Sequence, residues 1–419
     1  MDWSEKTRLV VTTGRGCEHA LAEELRGMGL APIGREDPEA PRRDAVAVDG
    51  DLADAMRINL RSRTGHRVLF ELAAFEAEDS DELYEQAREL PWELYLREDR
   101  PFRWSGSVAD VRSVRDSRYP VLKCKDAVAD RFVEKCGRRP DAKSGTDGAA
   151  CLHLHWHGRV ARIFVDTTGK PLSMRGYRLD SWRAPVRETM AAAILMEAGF
   201  SPERRDALLA PMCGSGTFAI EAALMAQNRA PGLLRGENEF AFAQLADAPL
   251  EAWREMREEA KAAVRFAPST WIRATDIAPE AIGCTLQNAR RAGVEKLIFA
   301  RACDFRLSGV PEAPAVVVVN PPYGERIAPG ARGALKRLYK ALGDWLKFTC
   351  ADFRAAVLLA DPELARAMGI RAKRMIPMSN GPIDCRLMVF EPHEYGGIED
   401  KAGEGAEESG DGRQESEGG

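Results

Sequence analysis

Hydrophobic and polar positions change rhythm near Pro185. Before it, short apolar or alternating runs predict strands at Arg8–Thr13, Ala45–Val48, Arg67–Phe75, Phe102–Val108, Cys151–Trp156 and Val160–Asp166. Helical spacing predicts helices over Cys17–Met28, Leu52–Leu60, Ser80–Leu90 and Asp126–Cys136, the last with an apolar stripe of Ala127, Val128, Phe132 and Val133. His157-Gly158 between two strand runs predicts a β-hairpin. Short mixed elements of this kind predict small α+β units rather than one doubly wound sheet.

After Pro185 the strands alternate with helices of ten or more residues. A helix over Arg187–Glu197 precedes strands at Ala207–Ala210, Trp271–Thr275, Ile298–Ala302, Val316–Val319 and Ala355–Leu359, with a helix at Thr217–Asn228 following the first. That alternation specifies a parallel, doubly wound α/β sheet. Arg371–Pro377 and Arg386–Phe390 flank Asn380-Gly381, a turn pair that joins antiparallel neighbours, so an edge hairpin closes the sheet. Residues Arg229–Pro268 read as an insertion with its own helix around Leu250–Phe266.

Length and composition narrow the class. A chain of 419 residues has material for two to three domains, and its 45% apolar and 30% charged residues are ordinary globular usage. The longest stretch without a charge, Ala207–Ile220, is 14 residues and glycine-rich, short of the roughly 20 apolar residues that span a bilayer. The start, Met-Asp-Trp-Ser-Glu-Lys, lacks a basic and an apolar export region, and nine cysteines form no Cys-x-x-Cys pair. Reduced thiols in a cytoplasmic protein are expected.

The net charge of −5 hides a strong asymmetry. Residues 396–419 hold eight acidic and two basic side chains among eight glycines, and such a tail is expected to be disordered. Arg100 to Glu188 carries 19 Lys/Arg against ten Asp/Glu, which points to a polyanionic partner. The preceding acidic run, Glu71 to Asp99, reads as a solvated helix face. His153, His155 and His157 share one strand face, but no further Cys or His cluster completes a coordination shell, so a solvated or RNA-facing surface is expected and no metal.

Candidate chemistry lies at the strand ends of the second half. Leu208-Leu209-Ala210-Pro211-Met212-Cys213-Gly214-Ser215-Gly216-Thr217 runs from a strand into a helix; Gly214 and Gly216 let the backbone approach a ligand, and the helix offers free N–H groups. It is neither the Gly-x-Gly-x-x-Gly dinucleotide form nor a phosphate loop. The next strand ends in Asp276-Ile277, where a carboxylate can hold both ribose hydroxyls, and the third in Asp304-Phe305, placed to accept from an adenine amino group.

Val316–Val319 then runs into Asn320-Pro321-Pro322-Tyr323. The prolines restrict Asn320 to an extended backbone. The Asn320 side-chain oxygen and the Pro321 carbonyl can both accept from one planar NH₂ group, and Tyr323 offers a stacking face. This suits methylation of an exocyclic amine, with S-adenosylmethionine bordered by Pro211, Cys213, Gly214, Ser215, Gly216, Thr217, Asp276, Ile277, Asp304, Phe305 and Asn320.

The set from Leu208 to Ala223, Asn-Pro-Pro-Tyr-Gly-Glu-Arg (320–326) and Asn-Gly-Pro-Ile-Asp-Cys (380–385) resembles the bacterial THUMP-containing guanine-N(2) methyltransferases of large-subunit ribosomal RNA. Tyr119–Phe132, Arg175-Gly-Tyr-Arg and Pro185–Ala193 extend the resemblance over roughly residues 5–392. It implies a ferredoxin-like unit (1–50), a THUMP RNA-binding domain (51–168), a linker (169–184), a Rossmann-like class I methyltransferase domain with an antiparallel edge hairpin (185–395), and the acidic tail. Longer relatives carry a second methyltransferase domain, an activity not expected here. The resembling family has Asp-Pro where this chain has Ala210-Pro211; losing that hydrogen bond to a charged amine costs roughly 1.5–3 kcal/mol.

The expected reaction is methyl transfer to a guanine N2 in 23S ribosomal RNA. Arg112, Arg115, Arg118, Lys123, Lys125, Arg175, Tyr177 and Arg178 are the expected RNA contacts. Alternatives are a transfer-RNA guanine methyltransferase, adenine or protein-glutamine methylation at the same motif, and a catalytically weak ribosome-assembly factor.

Overall fold

A computed structural model describes residues 2–34, 44–139, 148–179, 185–266, 269–312, 314–322 and 332–392. Tyr323 and the acidic tail lie outside the described residues.

The first part builds one six-stranded sheet from β1 (Thr7–Thr12), β2 (Ala45–Gly50), β3 (Arg67–Glu76), β4 (Phe102–Ala109), β5 (Ala150–His157) and β6 (Val160–Asp166), in the order β2-β1-β3-β6-β5-β4. Helices α1 (Glu18–Gly27), α2 (Leu52–Arg61), α3 (Ser80–Glu89) and α4 (Arg118–Cys136) cover it. The pairing β3–β6 joins β1, β2 and β3 to β4, β5 and β6 in a single sheet. β5 and β6 form the expected antiparallel hairpin, turning at Gly158 with φ 60°.

Helix α4 starts eight residues before the expected Asp126. Pro120 is its third residue, in the first turn, where a missing N–H removes no helical hydrogen bond. Its buried stripe is Cys124, Ala127, Val128 and Phe132, while Val133 is 48% exposed and leaves the core.

The second part is a seven-stranded sheet, β12-β13-β11-β10-β7-β8-β9. In chain order its elements are α5 (Glu188–Glu197), β7 (Ala207–Pro211), α6 (Thr217–Ala226), α7 (Leu250–Ala262), β8 (Ile272–Asp276), α8 (Pro279–Arg291), β9 (Ile298–Ala302), β10 (Ala315–Val319), α9 (Arg332–Phe348), β11 (Arg354–Leu359), α10 (Pro362–Ala367), β12 (Arg374–Asn380) and β13 (Ile383–Phe390). β13 pairs antiparallel with β11 and β12, and the other five strands, β11-β10-β7-β8-β9, are parallel. The all-valine run of β10 is buried on both faces, as a central parallel strand requires. Val316 and Val318 face the side that carries α5 and α6; Val317 and Val319 face α9.

The segment between α6 and β8 reaches back to the first part. Phe240 and Phe242 stack at 5.5 Å, Trp253 meets both edge-on, and all three join the core of the six-stranded sheet. Trp3 Nε1 donates to the Ala246 carbonyl at 2.8 Å. Gly232 lies so close to α2 that a Cβ there would stand 2.7 Å from Leu60 Cα. This segment therefore clamps the two sheets together.

Candidate active site

β7 delivers the chain into a loop with three left-handed residues, Met212 (φ 54°), Gly214 (φ 56°) and Gly216 (φ 78°). Gly216 caps α6, so the amides of the first turn stay unpaired within the helix. Asp276 at the end of β8 accepts from Gly214 N–H and Ala278 N–H, each at 3.0 Å and each on a different carboxylate oxygen. Each oxygen keeps a lone pair for a further donor. Two residues one turn apart on α8 brace the loop: Thr285 Oγ1 donates to the Gly214 carbonyl at 2.9 Å, and Asn288 Nδ2 to the Ser215 carbonyl at 3.1 Å.

Around this turn Pro211, Ser215 and Thr217 are buried, while Ile277 is 78% exposed. Burial pushes the Cys213 thiol up to about 12, so it lines the loop as an uncharged side chain. Ala210 is buried within β7 and carries no polar group to the position where the resembling family has Asp.

At the end of β9, Asp304 is gripped by the Arg306 guanidinium at 2.9 and 2.6 Å, which holds its carboxyl below the usual range. Phe305 beside it packs edge-on against Trp345 of α9 at 5.3 Å and is buried in the core on that face of the sheet.

β10 lies directly beside β7, with Val317 opposite Leu209, so Asn320 and loop 212–216 leave neighbouring strands at one sheet edge. The Asn320 Oδ1 is buried and has no hydrogen-bond partner among the described residues. A buried acceptor without a donor costs about 1–3 kcal/mol, a cost that an N–H from a ligand would relieve. Pro321 is buried, and the Pro322 carbonyl accepts from Tyr339 Oη at 3.3 Å, which fastens the turn to α9.

Three expected RNA contacts are corrected by the structure. Arg175 and Tyr177 are 1% and 2% exposed, and both bond to Glu221 of α6. Arg178 is nearly buried on Glu188, and its Nη2 also donates to the Val186 carbonyl. The two guanidinium groups and the Tyr177 hydroxyl find their partners inside the protein, which leaves none of the three free to hold a nucleic acid.

Arg112, Arg115 and Arg118 are exposed between β4 and α4. There a cleft of about 540 Å³ is lined by Gly106, Asp116, Ser117, Arg118, Tyr119, Val121 and Leu122. Arg118 forks onto Asp116. Lys123 reaches Asp81 of α3 at 2.7 Å and lies 5.6 and 5.7 Å from the Tyr84 and Tyr119 rings; Lys125 is half-buried. The acidic helix α3 thus neutralises part of the basic segment. On the opposite face His153 and His155 bond Ser105 and Ser107 at 2.9 and 2.8 Å, and His157 pairs with Asp110.

Thr285, Asn288 and Tyr339 are site residues that sequence reasoning missed. Thr285 and Asn288 are polar positions on the buried side of an amphipathic helix that follows Asp276, a signal that could have been read. Tyr339 carried none.

His66 joins the two parts, with Nδ1 2.9 Å from Thr189 Oγ1 of α5. Burial, then the cations Arg187, Arg175 and Arg67, push its imidazole down to about 4. The unfolded chain takes up the proton first, so stability is intact above about 6.5 and falls as pH drops toward 4. Denaturant titrations from pH 7 to 4.5 should show wild type losing up to about 3 kcal/mol more than His66→Gln. Identical pH profiles would place the acid sensitivity elsewhere.

A family model described as an RMKL-like methyltransferase domain matches residues 175–388, half of the chain and all of this sheet edge. The chain belongs to that methyltransferase family. An RlmL ferredoxin-like domain model matches residues 8–69 and a THUMP domain model residues 77–166. The chain is 37% identical over 382 residues to the ribosomal RNA large subunit methyltransferase K/L of Allochromatium vinosum, covering 88% of this chain and 50% of the relative. To the protein of the same name in Pseudomonas aeruginosa it is 35% identical over 401 residues, covering 92% and 53%. This methyltransferase chain spans about half the length of the curated relatives it matches.

Among solved structures, a predicted N6-adenine-specific DNA methylase from Listeria monocytogenes is 30% identical with TM-score 0.80, covering 93% of this chain and 97% of that one. SMU.472, a putative methyltransferase complexed with SAH, is 26% identical with TM-score 0.80, covering 93% and 98%.

Proposed function

We propose that this chain transfers a methyl group from S-adenosylmethionine to the exocyclic N2 amine of a guanine in 23S ribosomal RNA. The buried Asn320 Oδ1 beside the glycine loop, without a hydrogen-bond partner among the described residues, carries the reading. The loop fits the cofactor: two left-handed glycines open a cradle, the α6 N-terminus presents free amides for its carboxylate, and Asp276 keeps lone pairs for the ribose. Asp304 and the exposed Ile277 would border the adenine. When bound, the cofactor supplies an electrophilic methyl group.

The chain's own residues then handle the amine. A guanine flipped out of its stack enters at Asn320, where Oδ1 and the Pro321 carbonyl each accept one N–H. Those bonds favour a more tetrahedral nitrogen whose lone pair faces the methyl group. The nitrogen becomes strongly acidic only after methylation, so its extra proton leaves late, to water, and no strong base is needed. Tyr323 would stack on the base. The Asn-Pro-Pro turn is kept rigid by its prolines and by Tyr339.

RNA would lie along the exposed Arg112, Arg115 and Arg118, with Lys125 adjoining and Lys123 contributing less because Asp81 already holds it. The relatives' names support ribosomal RNA over transfer RNA, and the THUMP match supports RNA over DNA or protein. No helix among the described residues is long and apolar enough to cross a membrane. Replacing Arg112 and Arg115 together by Ala should lower the salt-dependence slope of RNA binding by about one to two. An unchanged slope would show that the RNA lies elsewhere.

Methyl transfer from labelled cofactor to unmodified 23S and transfer RNA, presented separately and followed by nucleoside mass spectrometry, tests the whole reading. N(2)-methylguanosine in 23S RNA supports it. Product on transfer RNA alone would change the substrate, and no product on either would favour the assembly-factor role.

A further inference from the structure

A buried charged cluster lies between the two sheets and takes no part in the reaction above. Arg175 Nε donates to Glu221 Oε1 at 2.9 Å, and the two side chains are 1% and 0% exposed. Tyr177 Oη donates to the same oxygen at 2.9 Å. Arg175 also ties down the first part of the molecule: Nη1 donates to the Leu172 carbonyl at 3.1 Å and Nη2 to the Arg63 carbonyl at 2.6 Å. Arg63 in turn donates from its Nη2 to the Arg229 carbonyl just past α6 at 3.1 Å. Glu24 of α1 fixes loop 62–64 by accepting from the Arg63 and Thr64 amides at 2.8 and 3.0 Å.

Stability alone is a poor reason for this cluster. A buried ion pair gains little over an apolar replacement of the same shape. This one is also incompletely satisfied: Glu221 Oε2 and Arg63 Nη1 are buried and have no hydrogen-bond partner among the described residues. What the cluster supplies is geometry. Glu221 stands one helical turn after Thr217, on the helix that Gly216 caps, so whatever holds Glu221 holds the amides at the head of α6.

We propose that Arg175, Tyr177 and Glu221 are positioning residues that lock the cofactor loop to the RNA-facing part of the molecule. The cluster lies outside loop 212–216 and outside the Asn320 turn. It sets where the first turn of α6 sits relative to loop 62–65, and cofactor affinity therefore depends on a contact made outside the cofactor site. This rests on the cofactor reading of loop 212–216.

The test uses the full chain. Binding of S-adenosylhomocysteine (SAH) is measured by calorimetry well below the unfolding temperature for wild type, Arg175→Lys, Tyr177→Phe and the double variant, beside thermal unfolding and affinity for a 23S RNA fragment. Arg175→Lys keeps the charge and loses the fork, and Tyr177→Phe removes one hydroxyl. The Kd for SAH should rise about tenfold in Arg175→Lys and severalfold in Tyr177→Phe. The double variant should fall short of the product, because both act through one Glu221 oxygen. RNA affinity should stay at the wild-type value. A lower unfolding temperature with unchanged SAH affinity would make the cluster merely structural and overturn the proposal. Should Arg175→Lys not fold, Tyr177→Phe decides by the same criterion. Wild type failing to bind SAH would instead sink the cofactor reading, and the positioning role with it.

Discussion

Replacing Asn320 with alanine is expected to lower the rate of the methyl-transfer step by about 10²- to 10³-fold, the size of effect seen when one preorganised polar group is removed from a reacting centre. SAH affinity should remain near wild type, because Gly214, Asp276 and the α6 amides stay in place. The folded state should not suffer either. Asn320 Oδ1 makes no hydrogen bond among the described residues, so alanine deletes a buried acceptor that the resting protein leaves unpaired. Single-turnover kinetics at saturating cofactor, with calorimetry for SAH, separates the two effects. Wild-type single-turnover rates in the variant would remove the amine-binding role, and a parallel loss of SAH affinity would place Asn320 on the cofactor instead.

Gly216→Val should act on the other half of the site. At φ 78° a branched side chain is strained, and a Cβ there would stand 2.6 Å from Thr285 Cγ2 and 2.8 Å from its Oγ1. The loop must shift, or α8 must retreat from it; either move breaks the Thr285 bond to the Gly214 carbonyl and misplaces the helix-capping turn. Strain of about 1–3 kcal/mol corresponds to about a 5- to 150-fold loss of SAH affinity, with thermal stability lowered by a comparable amount. Calorimetry and thermal unfolding check both numbers. A variant that binds SAH like wild type would show that the cofactor does not use this turn.

The site was legible to the extent that local covalent geometry encodes it. Gly214 and Gly216 supply left-handed positions that carry the strand into the helix. Asp276 ends its strand as the alternating pattern implied, and the prolines after Asn320 define its backbone without help from distant residues. These features survive because each depends on neighbours within a few positions. The parallel sheet then places separate strand ends at one edge, so three independent short signals converge on one candidate site.

Charge was read less well. Arg175, Tyr177 and Arg178 looked like part of a basic RNA surface because residue type and net charge say nothing about burial. Glu221 lies 46 positions after Arg175, and only the packing of α6 against the first part of the chain brings them within 2.9 Å. Lys123 shows the same effect at the surface, since Asp81 comes from a helix 42 residues earlier. The insertion before β8 was counted as excess length, yet Phe240, Phe242 and Trp253 complete the core of the other sheet.

By itself, then, the amino-acid sequence determined the order of elements, the parallel sheet with its edge hairpin, the glycine turn, the two strand-end aspartates and the rigid turn after Asn320. Local sterics and hydrophobic period specify each of these without reference to the rest of the chain. Tertiary structure alone decided which charges face solvent, how the two sheets are clamped, and that Asn320 keeps a buried oxygen with no partner among the described residues. Those depend on partners tens or hundreds of residues away, where proximity is a property of the packed core and of no local pattern.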